Sequence, residues 1–487
     1  MSLNNHRKNQ HLLWRAGFGP AVEQLGDLSQ YNPAQFYKAL VKASSRKPVY
    51  LDVADDYLKG LMLGIGEAGR QAREQMDADQ RRMVQQKSRQ GVRNLNLYWM
   101  YEMVNSSAQL REKMAFFWHG HFACRNLNVF YQQGLLDIIR RNALGNFGTM
   151  LKEVSKSAAM LNFLNNQQNR KDHPNENFAR EVMELFTLGR GHYTEHDIKD
   201  AARAFTGWSA NAKGEFVFRR FQHDFGSKTV LGRTGDFDGG EVLDILLEEK
   251  QTAKYITQKI YKFFVHEDPD PEKINWLADR FYRNDYDISK LMEDIFTSDW
   301  FYDEKNMGAR VKSPVELLVG IQRMLPMKLE NEEALMLLQR LLGQLLFFPP
   351  NVAGWPGGKS WIDSSSLMLR MRLPKLINDM DEMNVKPKDD DDTMMGRKDV
   401  NPSMANKGAA GMRRQMINAD IDWKLYLAHF EKTPRQQLVE SLTTGLLQVK
   451  SSVSPDLIRK YTDESGRESF IKSVTLQIMS TPEYQLC

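Results

Sequence analysis

Histidines, carboxylates and guanidinium groups gather in four short stretches of this sequence, and each stretch points to a different chemistry. The first is REKMAFFWHGHFACRN, Arg111 to Asn126, where His119 and His121 form an HxH pair. On a helix the two rings point about 200° apart, so they share a metal ion only if the helix stops near Gly120. Such imidazoles would ligate zinc, copper or iron, but a protein site takes three or four ligands. The alternative is a pair of structural histidines bonded to backbone beside Trp118. The second stretch runs from His173 to Trp208 and holds Glu176, Asn177, Arg180, Glu181 and Glu184 on one side of a helical wheel. Phe178, Val182, Leu185 and Phe186 fill the other side, with Pro174 placed to open the helix and Gly189 to close it. Two readings fit: a solvated face of i,i+4 ion pairs, or a buried carboxylate and guanidinium network that binds an ion or exchanges protons. Thr194 and Asp197 form a capping box for the next helix.

The third stretch, Phe221 to Gly232, sets His223, Asp224 and Lys228 around a glycine turn. It reads as a general base beside a carboxylate, or as an Asp bonding its own backbone. The fourth, Phe347 to Arg370, contains AGWPGGKS, a relaxed phosphate-loop pattern. Pro349 and Pro350 stand where a buried strand is needed, and Pro356 removes an amide from the would-be anion nest, so no nucleotide is expected. The loop reads instead as a rigid mount that presents Asn351, Trp355 and Trp361 to a cleft, or simply packs its tryptophans.

The elements that must position these residues are helices. Leu243, Leu246 and Leu247 followed by Ile256, Ile260 and Phe264 show the 3.6-residue period, whereas alternating patterns are scarce. One small hairpin is predicted, with Glu215 to Phe221 paired to Lys228 to Leu231 across a turn at His223 to Gly226. The expected fold is therefore all-α with one small β-hairpin, built as a large helical body over 1–385. Residues 64–93 are charged and Gln-rich, and read as a polar helical or mobile insertion. Residues 386–416 run acidic then basic without apolar anchors, as a disordered linker does. A C-terminal helical module, 417–487, resembles 252–303: Ile288, Leu291 and Ile295 align with Ile471, Val474 and Ile478.

Across 487 residues, 66 Lys+Arg against 62 Asp+Glu leave a net charge of +4, which argues against a nucleic-acid binder built on a basic face. Cys124 and Cys487 lie far apart without a CxxC, so neither a disulfide framework nor a thiolate zinc site is supported. No membrane span and no signal peptide are legible, and at face value the compartment is the cytoplasm.

In order, HLLWRAGFGP at His11, EKMAFFWHGHF at Glu112, NENFAREVMELFTLG at Asn175, ARAFTGW at Ala202, HDFGSKTVLG at His223, VKSPVELLVG at Val311 and PPNVAGWPGGKSW at Pro349 resemble the bacterial family of domain of unknown function 1800 (DUF1800) over about residues 10–375. The resemblance implies that His119, His121, Asn175, Glu176, Asn177, Arg180, Glu181, His223 and Trp355 surround one pocket. It also implies a sulfatase-like or phosphatase-like partner, and export in many relatives, although this chain shows no export signal. At Asn165 an Asp is common in the family, so a catalytic carboxylate is not available there.

The resulting expectation is an enzyme acting on an anionic or polar small substrate, with a divalent metal as possible cofactor. His119, His121 and His223 would serve as base or metal ligand, with Glu176 or Glu181 as acid or base and Arg180 holding an anionic group. Asn175, Asn177, Asn351, Trp355 and Lys228 would contact substrate. The rival is a non-catalytic partner or maturation factor in which the same polar network only locks helices together.

Overall fold

The computed structural model describes residues 4–63, 76–211, 213–329, 331–378 and 419–487. The whole linker expected at 386–416 and the first part of the polar insertion therefore lie outside the described residues. The rest of the insertion is the N-terminal half of a helix, Ala78–Asn105, opened by a capping box between Asp77 and Gln80. Its first buried residues are Gly91 and Val92, so the charged half stays at the surface.

The chain divides into two compact units interleaved along the sequence. One comprises Tyr37–Phe301 and Phe347–Trp355, the other Met1–Phe36, Tyr302–Leu346 and Pro356–Cys487. In the first, Gln109–His121, Val129–Asn142, Phe147–Lys156 and Lys250–Phe264 enclose an aromatic core in which Trp118 stacks on Phe147 at 5.5 Å and on Phe122 at 5.9 Å. Short polar caps start the second and third of these helices where the apolar period begins. Asn128 accepts from the amides of Phe130 and Tyr131, and Asn146 from that of Thr149, each satisfying donors the first turn leaves free.

The protein is mainly helical, as the periodicity predicts, and the extended pieces are short two-stranded ladders. Strand β1 (Trp208–Ala210) pairs with β2 (Phe216–Phe218), and β3 (Lys228–Val230) with β4 (Arg233–Gly235). The expected pairing of Glu215–Phe221 with Lys228–Leu231 does not form, for two local reasons. The chain already turns tightly at Asn211–Glu215, with Gly214 at φ 85°. Leu231 and Gly232, at φ 50° and 79°, then make the two-residue turn that joins β3 to β4. The backbone of β3 is also held by a helix: Asp200 accepts from the Thr229 amide at 2.5 Å and Asp197 from Leu231 at 2.7 Å. Both carboxylates belong to Glu195–Ala204, which starts at the predicted Thr194–Asp197 capping box.

In the second unit, Asn5–Ala16 and Pro314–Met324 are buried along most of their length, and strand β5 (Met327–Leu329) pairs with β6 (Ala419–Ile421). The Lys312 ammonium is clamped between the rings of Trp14 (3.6 Å) and Tyr484 (3.9 Å) and donates to the Tyr484 carbonyl at 2.6 Å. Gly320 is required there, since a Cβ would meet the Trp14 ring at 2.3 Å. The HLLWRAGFGP and VKSPVELLVG motifs thus meet in one buried cation–aromatic junction. The two segments that read as a repeat, Ile288–Phe296 and Arg467–Met479, are each followed by a 3-10 turn, at Asp299–Tyr302 and Pro482–Gln485. Their upstream parts differ, because Thr252 lies inside Lys250–Phe264 whereas Thr433 precedes a 3-10 turn at Arg435–Gln437.

Candidate functional site

Gln109–His121 is buried from end to end apart from Gly120, so every polar side chain on it must find a partner inside the protein. Glu112 is fully enclosed and receives Arg111 Nε at 3.0 Å, Arg140 Nη2 at 2.9 Å and Trp99 Nε1 at 3.0 Å. Arg140 also reaches Glu102 at 3.1 Å and the Val49 carbonyl at 2.7 Å. Two guanidinium groups and two carboxylates therefore balance, and the lone pairs of Glu112 are committed.

The helix ends at His121, and the two rings face different neighbours, His119 against Phe347 and His121 against Phe186. Among the described residues no three His, Cys, Asp or Glu side chains gather to hold a metal ion. His119 lies against Trp99 (5.1 Å), Phe347 (4.9 Å) and Trp355 (5.5 Å), and its Nε2 accepts from the Phe347 amide at 3.2 Å. Phe347 sits at φ 68°, a conformation bulky residues rarely adopt, and this hydrogen bond and ring contact hold it there. Burial pushes the His119 pKa down to about 3, so the ring is neutral. Gly354 brings the loop against the same helix, where a Cβ would stand 2.5 Å from the Gly120 carbonyl.

His121 faces a different neighbourhood, the end of the helix that carries the second polar stretch. That helix begins as Asn177–Glu181 and widens into a π-helix over Val182–Thr187, a geometry that often accompanies function. Its last carbonyls need donors. His121 Nε2 donates to Phe186 O at 3.3 Å, which leaves the Nδ1 lone pair to accept from Lys259 Nζ at 3.1 Å. Lys259 Nζ also reaches Leu185 O at 3.4 Å and lies over the Tyr255 ring at 5.1 Å. No carboxylate pairs with Lys259 among the described residues, and burial lowers its pKa to about 8. Burial and the Lys259 charge hold His121 well below the usual imidazole range.

Tyr255 leads on to the acidic side of the same strip. Glu184, with a side chain 13% exposed, accepts from Tyr193 Oη at 2.9 Å and pairs with the exposed Arg190. Glu181, one turn earlier, has no hydrogen-bond partner among the described residues, and burial together with the Glu184 charge raises its pKa. Glu184 also acts electrostatically on Tyr255, so Glu181, Glu184, Tyr193, Tyr255, Lys259 and His121 make up one polar strip that runs from partly exposed carboxylates to the buried His121.

The other predicted residues are distributed elsewhere. Glu176 and Arg180 pair at 3.1 Å, and Arg180 makes a second contact to Glu195 at 2.7 Å on a largely exposed face. Asn175 takes the Asn177 amide on its side chain and gives its own amide to Asn169, while Asn177 bonds the Leu164 carbonyl. Beneath them the buried Asn166 and Asn169 tie the carbonyls of Phe205, Trp208 and Ala202. Asn165 takes φ 58°, the left-handed conformation that Asn and Asp tolerate best, so a backbone requirement accounts for the residue type there. His223 donates to the Thr206 carbonyl at 2.9 Å from between Phe218 and Phe225, and Asp224 grips Arg203 at 2.7 Å. Lys228 is buried with its ammonium 3.4 Å from Asp236. Asn351 caps its own turn through the Ala353 amide, and the phosphate-loop-like text ends in a single 3-10 turn, Gly358–Trp361, which is followed by the helix Ser364–Asn378.

Sequence reading missed Lys259, Tyr255 and Tyr193 as site residues, and the Glu112–Arg140–Trp99 junction. A usable signal was present for the first: Lys259 stands four residues from both Tyr255 and Phe263, in the middle of an aromatic stripe on Lys250–Phe264.

A family model described as "Protein of unknown function (DUF1800)" matches residues 11–486. No curated protein and no solved structure shows a match.

Proposed function

Since this chain belongs to the DUF1800 family, whose description assigns no activity, we propose its function from the site: an enzyme that performs proton transfer on a small polar or anionic substrate at the Glu181–Glu184–Lys259–His121 strip. The observation that carries the reading is Lys259, a largely desolvated amine held by an imidazole nitrogen and a carbonyl and, among the described residues, by no carboxylate. With its pKa near 8, roughly one molecule in ten carries the free amine at pH 7, which suits a general base. His121 fixes the direction of that amine through its lone pair. Glu181, whose proton is held more tightly than usual, is the acid, and the exposed Arg190 stands at the rim to meet an anionic group.

A metal shared by His119 and His121 has no place in this reading, because the two rings face different neighbours. For His119, His223, Asn175 and Asn177 the geometry favours the rival reading, in which polar groups lock backbone. The proposed chemistry is therefore confined to the strip.

The test is turnover of a panel of small carboxylates, phosphate esters and sulfate esters, followed by mass spectrometry. Lys259→Arg keeps the charge but cannot release its proton near neutral pH, and should reduce conversion at least about a hundredfold. Full turnover by a folded Lys259→Arg protein would overturn the assignment.

A further inference from the structure

Three phenylalanines stand at the surface between the end of β2 and the start of β3. Phe221 is 92% exposed, Phe225 50% and Phe218 40%. An isolated exposed aromatic needs no explanation, but two of these are mounted on one buried ring: His223 packs Phe218 at 5.1 Å on one side and Phe225 at 4.7 Å on the other. Phe221 projects from the short turn Arg220–Gln222 between them. The mount is rigid. His223 Nδ1 is tied to Thr206, the Arg219 amide donates to Gly207 O at 2.8 Å, and Gly207, at φ 80°, lets the Arg219 carbonyl approach where a Cβ would stand 2.7 Å away.

Around the rings the charge is one-sided. Arg219 and Arg220 are exposed, and Arg220 lies over the Phe225 ring at 5.4 Å. The Lys171 amide donates to Gln222 O at 2.8 Å, which brings the exposed Arg170 and Lys171 to the same edge. Asp224, the carboxylate nearest the rings in sequence, is consumed by Arg203, so Asp172 is the one acidic side chain left exposed in these two segments.

We propose that this face docks the protein on an anionic lipid surface, Phe221 entering the headgroup and acyl boundary while Arg170, Lys171, Arg219 and Arg220 meet lipid phosphates. The exposed groups favour a bilayer over a protein partner. A protruding ring ringed by cations asks only for negative charge and apolar depth, with no register to satisfy. Each cation near such a surface strengthens binding roughly fivefold, and none of these residues belongs to the polar strip.

Co-sedimentation of the full chain with phosphatidylcholine vesicles, with and without phosphatidylglycerol, tests the proposal. Binding is expected to the anionic vesicles, weakened by salt and absent from the neutral ones. Phe221→Ser should lower it at least tenfold, and Arg219→Glu with Arg220→Glu at least twentyfold, with circular dichroism melting curves unchanged because the side chains are exposed. No binding to anionic vesicles, equal binding to neutral ones, or full binding by both variants would overturn the proposal. So would capture by polyglutamate or a DNA oligomer without vesicle binding, which would reassign the face to a protein or a nucleic acid.

Discussion

Glu112 and Lys259 are both ionisable groups withdrawn from water in the same unit, yet they are treated in opposite ways. Around Glu112 every lone pair is met by an arginine or an indole N–H, and two guanidinium groups balance two carboxylates. Around Lys259 the partners are a carbonyl and a neutral imidazole, no counter-charge meets the amine among the described residues, and its pKa falls to about 8. A saturated junction of the first kind rigidifies helices; an undercompensated group of the second kind keeps a proton loosely held, which is what acid–base chemistry needs. The difference teaches where to look for function in this protein, since an inventory of polar residues does not separate the two.

The largest effect should come from breaking the saturated side. Glu112→Gln leaves Arg111 and Arg140 buried beside a neutral amide and should lower unfolding free energy in urea by about 3–5 kcal/mol. Lys259→Met should change stability by less than about 1 kcal/mol, or raise it, because it removes a charge that pays for its own desolvation. Equal losses in the two variants would erase the comparison.

Acid comes next in size. His119 titrates near 6.5 when unfolded and near 3 when folded, so between those values the unfolded chain binds more protons and stability falls as pH falls. The slope should reach up to roughly 1.4 kcal/mol per pH unit, with His121 adding in the same direction. His119→Gln keeps an acceptor for the Phe347 amide and should flatten the profile. An unchanged slope would mean that His119 is not held neutral by burial. The smallest effect lies within the strip: Glu184→Gln removes one of the causes that raise the Glu181 pKa, so the Glu181 carboxyl resonance should titrate at lower pH than in the parent. An upward shift would separate the two carboxylates.

Much of the frame was legible in the sequence because it rests on local rules. The Thr194–Asp197 box follows from spacing alone, and so does the opposition of His119 and His121 once a helix runs through Gly120. The pairing of β3 was not legible, because it depends on Leu231 taking a positive φ, which leucine rarely does, and on carboxylates of a separate helix capturing the strand's amides. The role of Glu112 was hidden for a related reason. Its partners Trp99 and Arg140 lie on other helices, and nothing within Arg111 to Asn126 marks the position as fully enclosed. Lys259 shows the intermediate case, since its aromatic stripe is readable but the neighbouring π-turn carbonyls are not.

The central claim is that Lys259 holds a labile proton at the end of the π-turn. Titrating its side chain by heteronuclear NMR after reductive ¹³C-methylation, with Lys259→Arg to assign the resonance, tests this directly. A midpoint near 8, well separated from the bulk of the lysines near 10.4, is the predicted result. A midpoint among the ordinary lysines would contradict the account.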